Sequence, residues 1–186
     1  MQNSLVVQSG DLKGRKIPFP EPIKGQAHVT SAVLKKTVFS ILESESLSGN
    51  LDKQKVVFID LFAGSGQMGI EAYSRGFARV ILVELEKTRF AKLLELVKTW
   101  NLSIELHHKD AFRILEKIHI GLDQTPVLYI DPPYSFWENE KKIFDLAKAW
   151  LEKKAKLIIQ APKKLEWENF QIRIIGKNYL ITKKDS

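Results

Sequence analysis

Cysteine is absent from this chain of 186 residues. That excludes disulfides, cysteine nucleophiles and thiolate metal sites, and it fits a reducing compartment. Histidine is scarce: His107 and His108 are adjacent, His28 and His119 lie far off, and none forms the i, i+4 pair of a helical zinc site. No metal is expected. No run approaches about eighteen apolar residues, and the amino terminus MQNSLVVQSGDLKGRK lacks the basic region and apolar stretch of a signal peptide. The expectation is a soluble, cytoplasmic monomer that does not enter a membrane. Internal repeats and low-complexity tracts are missing as well.

What is present suits a globular fold. With 44% hydrophobic and 27% charged residues, a chain of this length buries about 70% of the surface it exposes when unfolded, which excludes general disorder. One domain with a short appendage is expected. Lys+Arg 29 against Asp+Glu 22 leaves a net charge of +7, which favours an anionic partner, nucleic acid or a membrane surface.

From about residue 55 short apolar runs alternate with longer mixed segments, the beat of a parallel α/β sheet. VVFIDL (56–61), RVILVEL (79–85), VLYID (127–131) and KLIIQA (156–161) carry no period-2 alternation, as expected of strands covered on both faces. A weaker strand lies at 104–107. Helical spacing marks 67–75, 87–101, 111–117 and 139–153, clearest where Phe90, Leu93, Leu94 and Val97 oppose Lys92, Glu95 and Lys98. Two strand-like runs, 170–175 and 179–182, flank Gly176, Lys177 and Asn178 and read as a hairpin closing the sheet edge. Residues 1–50 read as an appendage and 51–186 as the main domain. The appendage has two short strands around Ser9, Gly10 and Asp11, prolines at 18, 20 and 22, and a helix over 31–43 capped by Thr30, with a polar linker over 44–55.

The strand 56–61 runs into Phe62, Ala63, Gly64, Ser65, Gly66, Gln67, Met68 and Gly69, then into a helical pattern. Gly64, Gly66 and Gly69 satisfy G-x-G-x-x-G, and Glu84 closes the next strand where a carboxylate meets ribose hydroxyls. Glycines alone do not name the ligand. Asp60, immediately before the loop, does more: two unit charges about 4 Å apart interact by about 4 kcal/mol at an effective dielectric near 20. A pyrophosphate is repelled there. S-adenosylmethionine, which has no phosphate and brings an ammonium and a sulfonium, is attracted by the same arithmetic, while the glycines permit close backbone approach. The plainer role for Asp60 is to cap the following turn. Asp110, after His107, His108 and Lys109, stands where a side chain reaches an adenine amine, or where it caps a helix from Ala111.

A second constellation follows. VLYI leads into Asp131, Pro132, Pro133 and Tyr134 at the carboxyl end of a central strand, the edge at which open α/β sheets bind ligands. The prolines remove two N–H donors and leave acceptor carbonyls, and Asp131 adds a carboxylate. Such a site grips N–H groups. A planar exocyclic amine is a poor nucleophile until acceptors take its protons and turn its lone pair out of the ring. Tyr134 then stacks on the base, worth about 1–3 kcal/mol in single-stranded recognition. Alignment does most of the work, about 7 kcal/mol at an effective molarity near 10⁵ M.

DLFAGSGQMGIEAYSRG (60–76), VELE (83–86), Asp110, DPPY (131–134), the amino-terminal LKGRKIPFP and a helix of form T-x-x-x-x-K-x-x-x-F together resemble the bacterial 16S ribosomal RNA guanine-N2 methyltransferases of the D type. The resemblance covers nearly the whole chain. It implies a Rossmann-like seven-stranded class I S-adenosylmethionine-dependent methyltransferase fold with a small amino-terminal appendage of hairpin plus helix. It also implies cofactor contacts from Asp60, Gly64, Glu84 and Asp110, and a guanine amine held by Asp131, Pro132, Pro133 and Tyr134. The full candidate cofactor set is Asp60, Phe62, Ala63, Gly64, Ser65, Gly66, Glu84, Leu85, Asp110 and Ala111. The substrate implied is ribosomal RNA or the small subunit.

The chain departs from the family where it typically reads R-P-T-x-D-R-V-R-E and this sequence has HVTSAVLKK (28–36). Lysine does not reproduce the bidentate fork of arginine. Candidate RNA contacts are Lys13, Arg15, Lys16, His28, Thr30, Lys35 and Lys36; a second basic cluster, Lys153, Lys154, Lys156, Lys163 and Lys164, reads equally as solvated surface. Met68 and the tryptophans read as packing residues, with Trp137 close enough to Tyr134 to flank a substrate. Three other readings stay open: methylation of an adenine N6 or protein glutamine amide, a nicotinamide oxidoreductase, and a non-catalytic RNA-binding module.

Overall fold

Alternate residues of the central strands face opposite sides, and both sides are apolar, so the strands need cover on each. A computed structural model of the chain describes residues 5–18, 31–165, 167–168, 170–175 and 178–183. In it β3 (Val56–Asp60), β4 (Arg79–Glu84), β5 (Glu105–His108), β6 (Thr125–Ile130) and β7 (Lys156–Ala161) run parallel. β9 (Asn178–Lys183) pairs antiparallel with β7 and with the edge strand β8 (Phe170–Ile175), giving the order β5-β4-β3-β6-β7-β9-β8.

Val56, Phe58, Val80, Leu82, Val127, Tyr129 and Ile158 form one buried layer with residues of α1 (Ala32–Leu47), α2 (Gln67–Ser74) and α3 (Lys87–Thr99). Val57, Ile59, Ile81, Val83, Leu128, Ile130 and Ile159 form the other with Ile143, Leu146, Ala147 and Trp150 of α4 (Glu140–Glu152). Two-sided burial is the reason the runs lack alternation.

The appendage joins the first layer. Its hairpin, β1 (Leu5–Val6) and β2 (Lys16–Ile17), contributes buried Val7 and Ile17. The turn between them lies on the last residue of α2: Asp11 N and Leu12 N donate to Ser74 O and Oγ, each at 2.9 Å. Gly10 adopts φ +80° there, and a Cβ on it would stand 1.6 Å from Ser74 O. Since α2 starts at the sheet's carboxyl edge, its last residue lies toward the amino edge, and the hairpin tip is docked away from the ligand-binding edge.

Lys35 corrects an expectation. Its ammonium is buried, 3.1 Å from Glu71 Oε2 and donating to Val6 O at 2.7 Å, so it faces α2 and the hairpin and no RNA phosphate. Burial lowers its pKa, against the opposing pull of Glu71. Lys36 is exposed. Glu71 also accepts from Gln8 N at 2.8 Å and pairs with Arg75 at 2.8 Å.

Other local expectations shift. Ser31 caps α1, accepting from Leu34 N at 3.1 Å. Thr30 and His28 lie outside the described residues, as do Gly176 and Lys177. The helix runs through Ser44, Glu45 and Ser46 to Leu47, because polarity does not break a helix and no glycine or proline intervenes before Gly49. The helix expected at 111–117 resolves into separate turns, closed by Arg113 N to Asp110 O and Lys117 N to Ile114 O. So short a segment does not repay helix nucleation. Among the described residues no helix is long and apolar enough to cross a membrane.

Candidate active site at the carboxyl edge of the sheet

Strand order reverses at β3, whose neighbours β4 and β6 lead in opposite directions across the sheet. The crevice beyond such a point is where open α/β sheets take ligands. Asp60 closes β3, Glu84 closes β4, Asp110 follows β5 and Asp131 follows β6, so the fold brings the sequence-predicted acids to one edge. Asp60, Glu84 and Asp131 also share a face, the one covered by α1, α2 and α3, because each continues the parity of the inward-facing residues before it.

Asp60 is fully buried, and its Oδ1 accepts from Phe62 N at 3.2 Å. The capping role is therefore real. Burial first, and then the charges of Asp131 and Glu84, push its pKa well above the usual carboxylate range, against the Phe62 N–H. Among the described residues no ion pair is made by Asp60, Glu84 or Asp110. A buried carboxyl whose ionisation is opposed by two neighbouring carboxylates is a place where positive charge is favourable.

Glu84 does more than the sequence showed. Oε2 accepts from Gly64 N at 2.8 Å and Oε1 from Glu86 N at 2.7 Å, so it fastens the glycine loop to β4. Each oxygen keeps a further lone pair for a hydroxyl. The loop is closed by Ala63 N to Val83 O at 2.9 Å and Gly66 N to Ala63 O at 2.7 Å, leaving Ser65 half-buried beside it.

The glycines divide their work. Gly66 adopts φ +74°, which favours glycine, and a Cβ on it would meet Leu93 Cδ2 of α3 at 2.5 Å, while one on Gly69 would meet Leu82 Cδ2 of β4 at 2.1 Å. Packing and backbone conformation thus give these two a reason to be glycine besides ligand approach. Gly64, at φ +53°, has only Phe62 O at 3.9 Å near its missing Cβ, and is the one with an open side.

Asp110 Oδ1 accepts from Phe112 N at 2.9 Å and caps the turn beginning at buried Ala111. Phe62, Phe112 and Phe136 form an aromatic wall, with centroids 5.6–6.1 Å apart. Phe112 and Phe136 were missed. The available signal was position, since each follows an acid of the edge within a few residues. Leu85, directly after Glu84, exposes 59% of its surface, an apolar side chain open at this edge.

In DPPY, Pro132 is buried and Tyr134 is exposed. The Pro133 carbonyl accepts from Phe136 N at 2.9 Å, so the acceptor expected to face substrate starts the 3-10 turn Tyr134–Asn139. Trp137 is buried in the α4 layer.

The basic residues of the hairpin do not lie at this edge. Arg15 lies over Trp100, 3.9 Å from the ring centroid, at the carboxyl end of α3. Lys13 and Lys16 are exposed on the same hairpin. β7 divides the second cluster: Lys153, Lys154 and Lys156 precede or open the strand, with Lys156 2.8 Å from Glu45, and Lys163 and Lys164 follow it, with Lys163 2.8 Å from Glu140. A run of lysines in sequence is not a patch in space. Among the described residues no group of three His, Asp or Glu side chains could hold a metal ion.

The model of the family described as Cons_hypoth95, conserved hypothetical protein 95, matches residues 5–181. The chain is 32% identical over 184 residues to the ribosomal RNA small subunit methyltransferase D of Buchnera aphidicola subsp. Acyrthosiphon pisum, covering 98% of this chain and 87% of that relative. A hypothetical protein of Thermus thermophilus superposes with TM-score 0.75 at 21% identity, covering 97% of this chain and 99% of that one. The precorrin-6y C5,15-methyltransferase of Geobacter metallireducens superposes with TM-score 0.63 at 17% identity, covering 91% and 94%. The structural likenesses establish a Rossmann-like class I methyltransferase fold, as the sequence predicted.

Proposed function

This chain belongs to the conserved hypothetical protein 95 family, that of the ribosomal RNA small subunit methyltransferases D, and from that membership we propose that it methylates the exocyclic N2 amine of a guanine in 16S ribosomal RNA. The observation that carries the reading is the meeting of Asp60 and Asp131 at the reversal of the sheet, where Asp60 is the register partner of Tyr129, two residues before Asp131 on the neighbouring strand. One acid belongs to the glycine loop and the other to DPPY.

When bound, S-adenosylmethionine would supply a methyl group on a sulfonium, whose sulfur leaves as a neutral thioether. The residues present suit it: Asp60 and Glu84 favour its positive charges and hydroxyls, Gly64 offers an open backbone, and Asp110 and Ala111 supply polar groups for an adenine rim. Asp131 accepts a proton of the guanine amine through a hydrogen bond, and Tyr134 stacks on the base. Loss of planarity at that nitrogen exposes its lone pair. The amine releases its proton after transfer, so no strong base is required beforehand.

Nucleoside mass spectrometry on 16S RNA from cells lacking the chain, with the purified protein then added to their small subunits, tests this. One N2-methylguanosine is expected to vanish and return. Loss of an N6-methyladenosine, or a hypomethylated protein glutamine with the RNA unchanged, overturns the guanine reading.

A further inference from the structure

Tyr129 and Gln160 are polar side chains buried in an apolar layer, and neither has a place in the chemistry described so far. Gln160 lies on β7 two residues beyond Ile158, the register partner of Tyr129, so the two project from one face as diagonal neighbours. Asp131 lies two residues beyond Tyr129 and continues the same face. The Tyr129 hydroxyl is 2.7 Å from Gln160 Oε1 and 3.4 Å from Asp131 Oδ2. Phenylalanine would fill the same space without a buried hydroxyl to satisfy.

We propose that Gln160 and Tyr129 form a hydrogen-bonded chain that positions Asp131: Gln160 orients the phenol, and the phenol holds Asp131 Oδ2 so that the carboxylate turns its other oxygen to the substrate amine. This rests on the reading that Asp131 grips that amine. The phenol has one proton to give, and a carboxylate is a stronger acceptor than an amide oxygen. Rotating the Gln160 amide by half a turn presents its N–H₂ to the phenol oxygen, which releases the hydroxyl proton for Asp131. A contact of this length tightens in a complex with substrate. Holding Oδ2 also favours the ionised carboxylate, which the neighbouring charge of Asp60 opposes. Tyr129 and Gln160 are thus positioning residues.

Tyr129→Phe, Gln160→Met and Asp131→Ala test this in methyl transfer to RNA across pH. Tyr129→Phe is expected to lower kcat about tenfold while the KM for RNA and the affinity for S-adenosylhomocysteine stay put. Its acid limb moves to higher pH, because Asp131 loses a donor that favoured ionisation. Gln160→Met shifts the same limb the same way, by less, and serves as the measurement if Tyr129→Phe does not fold. A Tyr129→Phe profile superposing on the parent's, with Asp131→Ala inactive, overturns the positioning chain and leaves the amine grip standing. A lower kcat with the limb unmoved overturns it too, because that loss is structural. An Asp131→Ala protein with parental turnover removes the grip, and this proposal with it.

Discussion

The two edges of the sheet hold the same kind of residue in opposite circumstances. Toward the amino edge and along the helices behind it, acids meet cations: Glu71 with Lys35 and Arg75, Glu43 with Lys53, Glu45 with Lys156, Glu105 with Arg79. At the carboxyl edge Glu140 pairs with Lys163 beside β7, but Asp60, Glu84 and Asp110, at the strand ends around the reversal, are bonded to backbone N–H groups, and among the described residues no lysine or arginine pairs with them. The first arrangement uses charge to lock elements together. The second leaves negative potential uncompensated inside the fold, a cost that persists in proteins when a ligand of opposite sign offsets it. An acid that is neutralised by the protein is structure; an acid that is not points to a ligand.

The sharpest way to break this contrast is to remove one acid from each edge. Asp131→Ala is expected to lower kcat by at least about a hundredfold, the scale of a lost transition-state acceptor, with cofactor affinity changed by no more than about threefold. Single-turnover methyl transfer with equilibrium binding of S-adenosylhomocysteine measures both, and parental turnover would refute the assignment.

Lys35→Met probes the other edge and should act on stability. Removing one member of a buried pair costs about 3 kcal/mol, while Lys36→Met, exposed on the same helix, should stay within about 0.5 kcal/mol. Urea unfolding compares them. Equal midpoints would mean that the Lys35–Glu71 pair does not hold the hairpin and α1 to α2.

Asp60 should respond less in magnitude and more in pH. Its raised pKa means that the ligand-free protein retains a proton there at a pH where an ordinary aspartate has lost it. A cationic ligand prefers the ionised form, so binding expels the proton. Affinity for S-adenosylmethionine should therefore rise as pH increases toward that pKa and level off above it, with up to one proton released. Titration calorimetry in buffers of different ionisation enthalpy detects the release. Asp60→Asn should weaken binding about tenfold and abolish both the release and the pH dependence; a pH dependence that survives assigns it to another group.

Legibility followed the same division. The acids of the carboxyl edge could be read because each closes a strand, and a parallel sheet places all strand ends on one side. The sheet itself was readable from five apolar runs, and the hairpin at its edge from two more. Pairing was not readable. Nothing local distinguishes Lys35 from Lys36, and only the docking of α2 and the hairpin decides which is buried. The same holds for Gly69, which packs against Leu82, and for the lysines near the end of the chain, which β7 separates. Tyr129 escaped notice for a related cause, since inside an apolar strand a tyrosine reads as bulk until its hydroxyl has partners.

The smallest effect concerns where RNA lies. If the carboxyl edge faces the substrate, phosphates should pass near the amino end of α1, which carries exposed Lys36, and miss the hairpin tip with Lys13. Each phosphate contact contributes about one unit to the slope of log affinity against log salt. Lys36→Ala should lower that slope by about one and weaken binding a few fold at moderate salt, while Lys13→Ala leaves both unchanged. The reverse result would place RNA across the amino edge, where acids and cations already neutralise one another. Long-range attraction to a chain of phosphates would then have to come from the excess of lysines on the hairpin alone, and the division of labour between the two edges would fail for the substrate even if it held for the cofactor.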